Sequence, residues 1–265
     1  MSQQIRVGVI GAGVMGEALI SALISSGVAA NCVTISEKRA DRQNELIALY
    51  GINSDDLQTN VTSADVVLLV VKPQDMAGVL DDIRDAINPQ AVIVSFAAGK
   101  RIDFISARVQ NPVIRVMPNT ATIVGAGMAA ISVGAGVSGV QREFVTKFLA
   151  ATGTVIEVPE DLQDAVTATS GSGPAYFFRF VEAMVAGAQE LGLSLEDATT
   201  LTNQTIIGAA KLLETSGKSA TTLRENVTSP NGTTAAALHS FESSELSMIV
   251  AKAMKAARDR SQELA

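Results

Sequence analysis

A glycine-rich turn near the start of the chain constrains the fold more than any other feature. The apolar stretch Ile5–Ile10 leads into Gly11-x-Gly13-x-x-Gly16, and an amphipathic helical pattern follows. In that order, Gly11 permits a tight turn, Gly13 lets the backbone approach a pyrophosphate, and Gly16 lets the helix pack closely on the sheet. The helix start supplies N–H groups and a partial positive charge, so the segment predicts a nucleotide-binding βαβ unit. Its candidate cofactor-binding residues are Gly11, Gly13, Val14, Met15 and Gly16.

The overall composition is that of a globular protein without a nucleic-acid or membrane partner. The 265 residues suffice for one large or two small domains. The net charge is −7, whereas a phosphate backbone requires clustered Lys and Arg. Aromatic residues are 4% of the chain, too few for platforms that stack on bases or sugars. The longest apolar run, Val66–Val71, suits a buried strand and is too short to span a membrane.

The start of the chain and its cysteine content favour a cytoplasmic location. A basic region followed by a long apolar region does not precede the first strand pattern, so we expect no secretion signal. The single cysteine, Cys32, cannot form an intrachain disulfide, which fits a reducing compartment. Its expected role is that of a small apolar residue at a strand start.

Strand and helix patterns alternate up to about residue 159, and then the strand patterns stop. The predicted strands are Ile5–Ile10, Cys32–Ser36, Asp65–Val71, Ala91–Ser95, Val113–Met117, Met128–Ser132 and Thr154–Val158. Helical patterns such as Arg39–Tyr50 and Gln74–Ala86 lie between them, which indicates a mainly parallel, doubly wound sheet. From Asp161 the apolar period becomes 3.6, and Ser194 marks one helix start. The expected fold is α/β: a Rossmann-type dinucleotide-binding domain over residues 1–160, followed by an all-helical domain over 161–265.

Three further turns follow predicted strands and contain small or kinked residues. Lys72-Pro73, Phe96–Gly99 and Met117–Asn119 come after consecutive strands. The carboxyl ends of parallel strands form the ligand-binding edge of a doubly wound sheet. Each turn alone is also compatible with an ordinary strand-to-helix connection, but together they predict a cofactor cleft. The candidate cofactor-binding residues are Val71, Lys72, Pro73, Ala97, Ala98, Gly99, Met117, Pro118 and Asn119.

A segment rich in hydroxyl groups, Asn226–Ala235, predicts a small-anion site in the helical half. Ser229 suits an N-cap and Pro230 the first helical position, so we expect a helix to begin there. Its free N–H groups, with the hydroxyls of Thr228, Ser229, Thr233 and Thr234, would bind an anion. The alternative is a well-capped helix with nothing bound.

Residues for several common mechanisms are missing from the sequence. His239 is the single histidine, and its Ala-rich surroundings near Leu238 and Phe241 predict a packed structural residue. One Cys and one His cannot form a zinc cluster, so we expect no metal. We find no clear base for alcohol oxidation. A protonated C=N bond accepts hydride without a side-chain base and requires mainly correct positioning, so imine reduction fits better.

These motifs together resemble the pyrroline-5-carboxylate reductase family. They are Gly11–Gly16, Val71–Pro73, Met117–Asn119, Ser170–Tyr176 and Val227–Ala235. The resemblance covers residues 5 to about 262, and it implies a Rossmann domain, a helical oligomerisation domain and NAD(P)H-dependent reduction of 1-pyrroline-5-carboxylate to L-proline.

The resemblance also implies which residues hold the substrate. The segment Ser229–Thr234 would bind the carboxylate and the ring nitrogen, with Thr234 near the nitrogen. Asn231 stands where many members have glycine, and asparagine tolerates unusual backbone angles. The implied catalytic residues are Thr234 and Ser229, and the implied substrate-binding residues are Val227, Thr228, Ser229, Gly232, Thr233 and Thr234.

The sequence fits two alternative functions, a hydroxyacid dehydrogenase and a nucleotide-sensing regulator, less well. A hydroxyacid dehydrogenase of the same superfold has a catalytic lysine after a Gly-x-Gly helix start, but the corresponding position after Gly171 and Gly173 holds Phe177. A nucleotide-sensing regulator without catalysis would not need the threonine-rich segment.

The nucleotide's phosphate state depends on the residues after the second strand. Glu37 stands where an acid would bind the ribose diol of NAD. Ser36, Lys38 and Arg39 could instead hold the 2′-phosphate of NADP, although Lys38 and Arg39 also suit a solvated helix start. The resemblance favours NADPH and leaves NADH as an alternative.

The helical half predicts self-association. Residues 161–265 carry more apolar helix surface than a small domain can bury. Related reductases form dimers with interleaved helical domains and often larger rings, so the resemblance implies a homodimer. We expect a break at Ser170–Pro174 to hold the Val227–Ala235 loop away from its own Rossmann domain, so that it reaches the partner's.

Overall fold

The computed structural model describes residues 4–264, and within them eight strands form one sheet in the order β3-β2-β1-β4-β5-β6-β7-β8. The strands are β1 (Val7–Ile10), β2 (Val33–Ser36), β3 (Asn53–Ser54), β4 (Val66–Leu69), β5 (Val92–Ser95), β6 (Val113–Met117), β7 (Gly127–Val133) and β8 (Gly153–Glu157). Neighbouring strands of this sheet are parallel, except that β7 runs antiparallel to β6. The predicted mainly parallel, doubly wound sheet is confirmed.

Helices connect the strands and then occupy the rest of the described chain. They are α1 (Val14–Ser25), α2 (Ala40–Tyr50), α3 (Leu57–Ser63), α4 (Met76–Ile83), α5 (Ile102–Ser106), α6 (Gly139–Ala150), α7 (Gln163–Val166), α8 (Gly173–Glu190), α9 (Leu195–Thr215), α10 (Ala220–Asn226), α11 (Thr233–Ser243) and α12 (Leu246–Glu263). Strand order reverses between β1 and β4, because β2 lies on one side of β1 and β4 on the other. This switch point is where doubly wound sheets open a ligand crevice.

Alternation along the strands places apolar side chains on both faces of the sheet. In β4 all four residues are buried, as a parallel strand covered on both faces requires. One face packs against α1 and α6 through residues such as Leu19 and Phe148, and the other against α4 through residues such as Leu80. Full burial of such side chains stabilises the fold by about 1.5–3 kcal/mol each.

Several element boundaries differ from the sequence predictions. The strand predicted over Cys32–Ser36 begins at Val33, after a 3₁₀ turn over Ala30–Cys32, and β4 ends at Leu69 rather than at Val71. The elements β3 and α3 escaped prediction. A two-residue edge strand lacks a readable alternation, and α3 is polar and short; its start is marked only by Asp56, whose Oδ1 accepts from Thr59 N at 3.0 Å.

The described chain divides into two compact units. One extends to Ser172 and includes the segment from Ala257, and the other is Gly173–Ala256. The division lies later in the sequence than the expected boundary at 160/161. At the predicted break, Ser170–Pro174, the structure has a π turn over Thr167–Gly171 and a bend at Ser172, and α8 begins at the next residue.

Among the described residues of the second unit, the regular elements are all helices. Ser194 caps α9 through its side chain, which accepts from Asp197 N at 3.0 Å, as predicted. Phe180 of α8 and Phe241 of α11 pack with ring centroids 6.3 Å apart. None of the helices in residues 4–264 has the length and apolar character needed to cross a membrane.

The structure gives different outcomes for Cys32 and His239. Cys32 is buried with a free thiol immediately before β2, as expected of a small apolar residue. The prediction of a packed histidine was wrong for the single chain, because His239 lies on the exposed side of α11. The Ala-rich sequence around it does not bury that side of the helix within the second unit.

Candidate dinucleotide and carboxylate sites

The glycine turn has the backbone geometry that the sequence predicted. Gly11 has φ +89°, a left-handed conformation that favours glycine. A Cβ on Gly11 would lie 2.9 Å from the carbonyl oxygen of Val70, and one on Gly16 would collide with the carbonyl oxygen of Gly11. Gly16 is therefore required by the turn folding back on its own helix, in addition to any packing on the sheet.

The start of α1 fits a pyrophosphate. Gly13 is the N-cap, and a Cβ built on it would meet none of the described atoms within 4 Å, so its position faces open space. The first N–H groups of a helix have no acceptor within the helix. Together with the positive end of the helix dipole, the turn from Gly11 and the helix start at Val14 could hold a dinucleotide phosphate.

Arg42, which the sequence analysis missed, braces this turn from α2. Its Nε donates to the carbonyl oxygen of Ala12 at 3.1 Å, and its guanidinium also bonds to Glu45 and Glu17. Hydrogen bonds to Glu45 and Glu17 raise the pKa of Arg42, so it stays charged. A pattern in the sequence could not have revealed this contact, because Arg42 and Ala12 are far apart along the chain.

Glu37, at the end of β2, reaches back to the glycine turn. One carboxylate oxygen accepts from Ala12 N at 3.0 Å, and the other accepts from Arg39 N at 3.1 Å. Burial acts to raise the pKa of Glu37, but the hydrogen bonds from Ala12 and Arg39 outweigh it and lower the pKa below its ordinary value. The carboxylate is therefore ionised and fixed beside the turn.

The neighbouring residues differ in how available they are to a ligand. The Ser36 hydroxyl donates to the carbonyl oxygen of Asp55 at 3.1 Å and accepts from Asn60 Nδ2 at 2.9 Å. Lys38 and Arg39 are exposed, and Arg39 Nε lies 3.4 Å from Glu37. The two cations can therefore approach a phosphate, whereas Ser36 already binds the protein.

A cleft of about 900 Å³ joins these residues to the end of β4. The predicted cofactor residues that line it are Gly11, Gly13, Ser36, Glu37, Lys38, Arg39, Val71 and Lys72. The predicted residues that do not line it are Val14, Met15, Gly16, Pro73, Ala97, Ala98, Gly99, Met117, Pro118 and Asn119. The basic groups of the cleft, Lys38, Arg39 and Lys72, are set among acidic ones such as Asp55 and Asp75.

The turns after β5 and β6 lie on the other side of the switch point. Ala97 is buried, Ala98 is half-buried and Gly99 has φ +74°. Asn119 Oδ1 accepts from Met128 N at 3.2 Å, so this side chain fixes the start of β7. None of Ala97, Ala98 and Gly99 in the β5 turn carries a side chain larger than a methyl group.

In the second unit, the helix that carries Thr234 begins later than predicted. The expectation of a helix with Ser229 as N-cap and Pro230 as first residue was wrong: α11 begins at Thr233, with Gly232 as its cap. Gly232 N donates to Ser229 O at 3.0 Å, and Asn231 has φ +59°. A left-handed residue cannot belong to a right-handed helix, so the turn delays the helix start.

The start of α11 groups the predicted substrate residues in one place. Ser229 and Thr233 are exposed, Thr234 is half-buried, and the Thr228 hydroxyl donates to Arg224 O at 2.6 Å. The first N–H groups of α11 lack helical acceptors. This helix start could bind a small carboxylate, with the hydroxyl of Thr234 beside it.

Two family models match this chain, one over the part that carries the α11 site and one over the part that carries the glycine turn. A family model described as pyrroline-5-carboxylate reductase dimerisation matches residues 160–264. A second, described as NADP oxidoreductase coenzyme F420-dependent, matches residues 6–99.

Relatives match over nearly the whole chain. A pyrroline-5-carboxylate reductase from Pseudomonas aeruginosa is 41% identical and covers 98% of this chain and 97% of its own. The solved pyrroline-5-carboxylate reductase from Coxiella burnetii is 32% identical with a TM-score of 0.93, covering 99% of each chain. The Plasmodium falciparum pyrroline carboxylate reductase, solved with NADP bound, is 27% identical with a TM-score of 0.86, covering 98% of each. Identity at this level over the full length leaves one assignment: the chain belongs to the pyrroline-5-carboxylate reductase family.

Proposed function

We propose that this protein reduces 1-pyrroline-5-carboxylate to L-proline with NAD(P)H, the last step of proline synthesis. The observation that carries the proposal is the presence of two helix starts with different fits in one chain of this family. One, at Gly13 and Val14, accommodates a pyrophosphate, and the other, at Gly232 and Thr233, suits a small carboxylate.

The roles of the chain's residues follow from these sites. The N–H groups of Thr233 and Thr234 and the Ser229 hydroxyl bind the substrate carboxylate. The Thr234 hydroxyl hydrogen-bonds to the ring nitrogen and orients the C=N bond. When bound, the dinucleotide supplies the hydride. Since a protonated imine needs no side-chain base, positioning by these groups is the main contribution of the protein.

For the cofactor, we propose a preference for NADPH, with NADH as the alternative. A family relative was solved with NADP bound, and exposed Lys38 and Arg39 are available to a 2′-phosphate. The ionised Glu37 works in the other direction, because a carboxylate there suits a free ribose diol. The rest of the proposed cofactor site consists of the glycine turn Gly11–Gly16 and the segments Val71–Pro73, Ala97–Gly99 and Met117–Asn119.

Substitution of Thr234 tests the substrate site. Thr234→Ala should lower kcat/KM for 1-pyrroline-5-carboxylate by about 10- to 100-fold, the effect of losing one hydrogen bond to a charged group. Thr215→Ala is the matched control, because its hydroxyl lies exposed at the end of α9 and bonds only to its own helix among the described contacts. An unchanged kcat/KM in Thr234→Ala would remove this residue from the mechanism.

We further propose an obligate homodimer, able to assemble into larger rings, whose sites combine residues of two chains. The matched family model is one of dimerisation. The second unit exposes large apolar side chains such as Phe177, Phe178 and Ile249, at 63%, 65% and 56%. Large apolar side chains exposed together are typical of protein–protein contacts. The proposed domains are residues 1–160 for the dinucleotide and 161–265 for the dimer and the substrate. Free Cys32 is consistent with a cytoplasmic location.

Mixing two variants with impaired activity tests the shared site. Gly13→Trp blocks the cofactor turn, and Thr234→Ala damages the substrate site. If sites are shared, exchange of subunits creates one site with both defects and one with neither, so activity should rise well above both parents. Activity that stays at the parental average, with subunit exchange proven by mass spectrometry, would show that each chain builds its own site.

A further inference from the structure

The last turn of α12 lies against the turn that follows β5, within the same compact unit. Leu264 O accepts from Lys100 Nζ at 3.1 Å. A Cβ on Gly99 would lie 3.0 Å from three atoms of Leu264, two of them backbone atoms. Ser261 is buried, and its Oγ donates to Asp164 Oδ1 at 2.7 Å. We call the two residues Ser261 and Leu264 the carboxy-terminal clamp.

A chain of charged groups connects the clamp to the other end of the β5 turn. Asp164 Oδ1 lies 3.9 Å from the guanidinium of Arg115, and that guanidinium lies 3.3 Å from Glu160 Oε1. The same Glu160 oxygen accepts from Ile102 N at 2.7 Å, at the start of α5. Arg115 is 2% exposed, so it depends on these carboxylates to compensate its burial. The clamp therefore supports the segment on both sides of Gly99.

The β5 turn has few internal contacts that would fix its shape. Ala97 and Ala98 carry only methyl groups, and Gly99 is in the left-handed region. Lys100 is oriented by the ring of Phe104, whose centroid lies 4.8 Å from its Nζ. A turn of small residues with one left-handed glycine has many accessible conformations, so outside contacts select among them.

The position of this turn makes its shape matter for the cofactor. Glu37 lies on the β2 side of the switch point, where the adenosine half would bind, and the cleft extends from there to the end of β4. A dinucleotide bound across the switch point places its other half over the β4 and β5 ends. The sheet order puts the β5 turn on that side.

We propose that Ser261, Leu264 and Lys100 are positioning residues that hold Ala97–Gly99 in the conformation that receives the nicotinamide half of the dinucleotide. They act through Gly99 and the start of α5. The inference rests on the proposed function, because that function makes the β5 turn part of the cofactor site.

Four variants of the full-length enzyme test the clamp. Lys100→Met keeps the apolar stem and removes the donor, Lys100→Arg restores a donor, and Ser261→Ala removes the buried bond. Gln262→Ala is the matched control, because this neighbour is exposed. Lys100→Met and Ser261→Ala should raise the Kd for NADPH about five- to twentyfold, the range for one lost hydrogen bond. Lys100→Arg and Gln262→Ala should stay within about twofold of the wild type.

Two further readouts separate positioning from general damage. The KM for 1-pyrroline-5-carboxylate and the melting temperature should change little. Amide exchange measured by mass spectrometry should accelerate over residues 96–105 in Lys100→Met and Ser261→Ala, and not in α9. Equal losses for both ligands with a lowered melting temperature, or an unchanged Kd and exchange in both variants, would overturn the clamp. A wild-type enzyme that binds NADPH but does not reduce the imine would refute the proposed function and leave the clamp supported by Kd.

Discussion

Alanine at two positions of the glycine turn should separate folding from ligand binding. At Gly11, alanine must adopt φ +89°, which costs about 1–2 kcal/mol. Its Cβ would lie 2.9 Å from the carbonyl oxygen and 3.1 Å from the carbonyl carbon of Val70. These backbone atoms directly follow β4, a central strand, and cannot move aside easily. The steric overlap should therefore add about 1–3 kcal/mol to the loss of stability.

The loss of glycine's freedom in the unfolded chain returns about 0.4–1 kcal/mol. Gly11→Ala should therefore lower the free energy of unfolding by about 2–4 kcal/mol, and the melting temperature by about 5–15 °C for a unit of this size. At Gly13, by contrast, φ is −67° and the Cβ would meet none of the described atoms within 4 Å. Gly13→Ala should cost about 0.5–1 kcal/mol, the difference between glycine and alanine at an N-cap.

Gly11→Ala should have the larger loss of stability, whereas Gly13→Ala should lose affinity for NADPH with little loss of stability. Thermal denaturation without ligand measures the stability, and fluorescence titration with NADPH measures the affinity. Gly13→Ala should melt close to the wild type and bind NADPH about tenfold more weakly or worse, because its methyl group occupies the space open to the pyrophosphate. A stable Gly11→Ala protein, or a Gly13→Ala protein with wild-type affinity, would refute the assignment of roles to these glycines.

Three further predictions concern Glu37, Arg39 and Asn231. Because the pKa of Glu37 is lowered in the folded protein, its carboxylate contributes stability above its ordinary pKa of 4.5, and this contribution is lost as the pH falls below that value. The difference in the free energy of unfolding between wild type and Glu37→Gln should therefore shrink as the pH is lowered from about 5, and a difference independent of pH would contradict this. Arg39→Ala should raise the KM for NADPH about tenfold and leave NADH nearly unchanged, and equal effects would make Arg39 a surface residue. Asn231→Ala should destabilise by about 1 kcal/mol in urea denaturation while Asn231→Gly is neutral, and the reverse order would contradict the left-handed turn.

Features that depend on residues close together in the sequence could be predicted from the sequence alone. The spacing of Gly11, Gly13 and Gly16 predicted a strand, a tight turn and a helix, and in the structure Gly11 turns the chain with a positive φ before α1 begins at Val14. The change of period after residue 159 predicted where the strands stop, because side-chain direction repeats every two residues in a strand and every 3.6 in a helix.

Local signals failed where two of them competed. Ser229 and Pro230 are favourable for a helix start, yet the left-handed Asn231 moves that start to Thr233. A favourable N-cap residue stabilises a helix start by about 1 kcal/mol. The hydrogen-bonded turn from Ser229 to Gly232 can outweigh this preference. The boundaries of the predicted carboxylate site therefore required the three-dimensional backbone.

Only the tertiary structure decided which charged and polar groups meet. Glu37 lies 25 residues from Ala12, and Ser261 lies 97 residues from Asp164. Each side chain has the same local propensities whether or not its partner is near. The order of strands in the sheet and the return of α12 to the first unit bring these groups together, and those are properties of the folded chain rather than of any window of sequence.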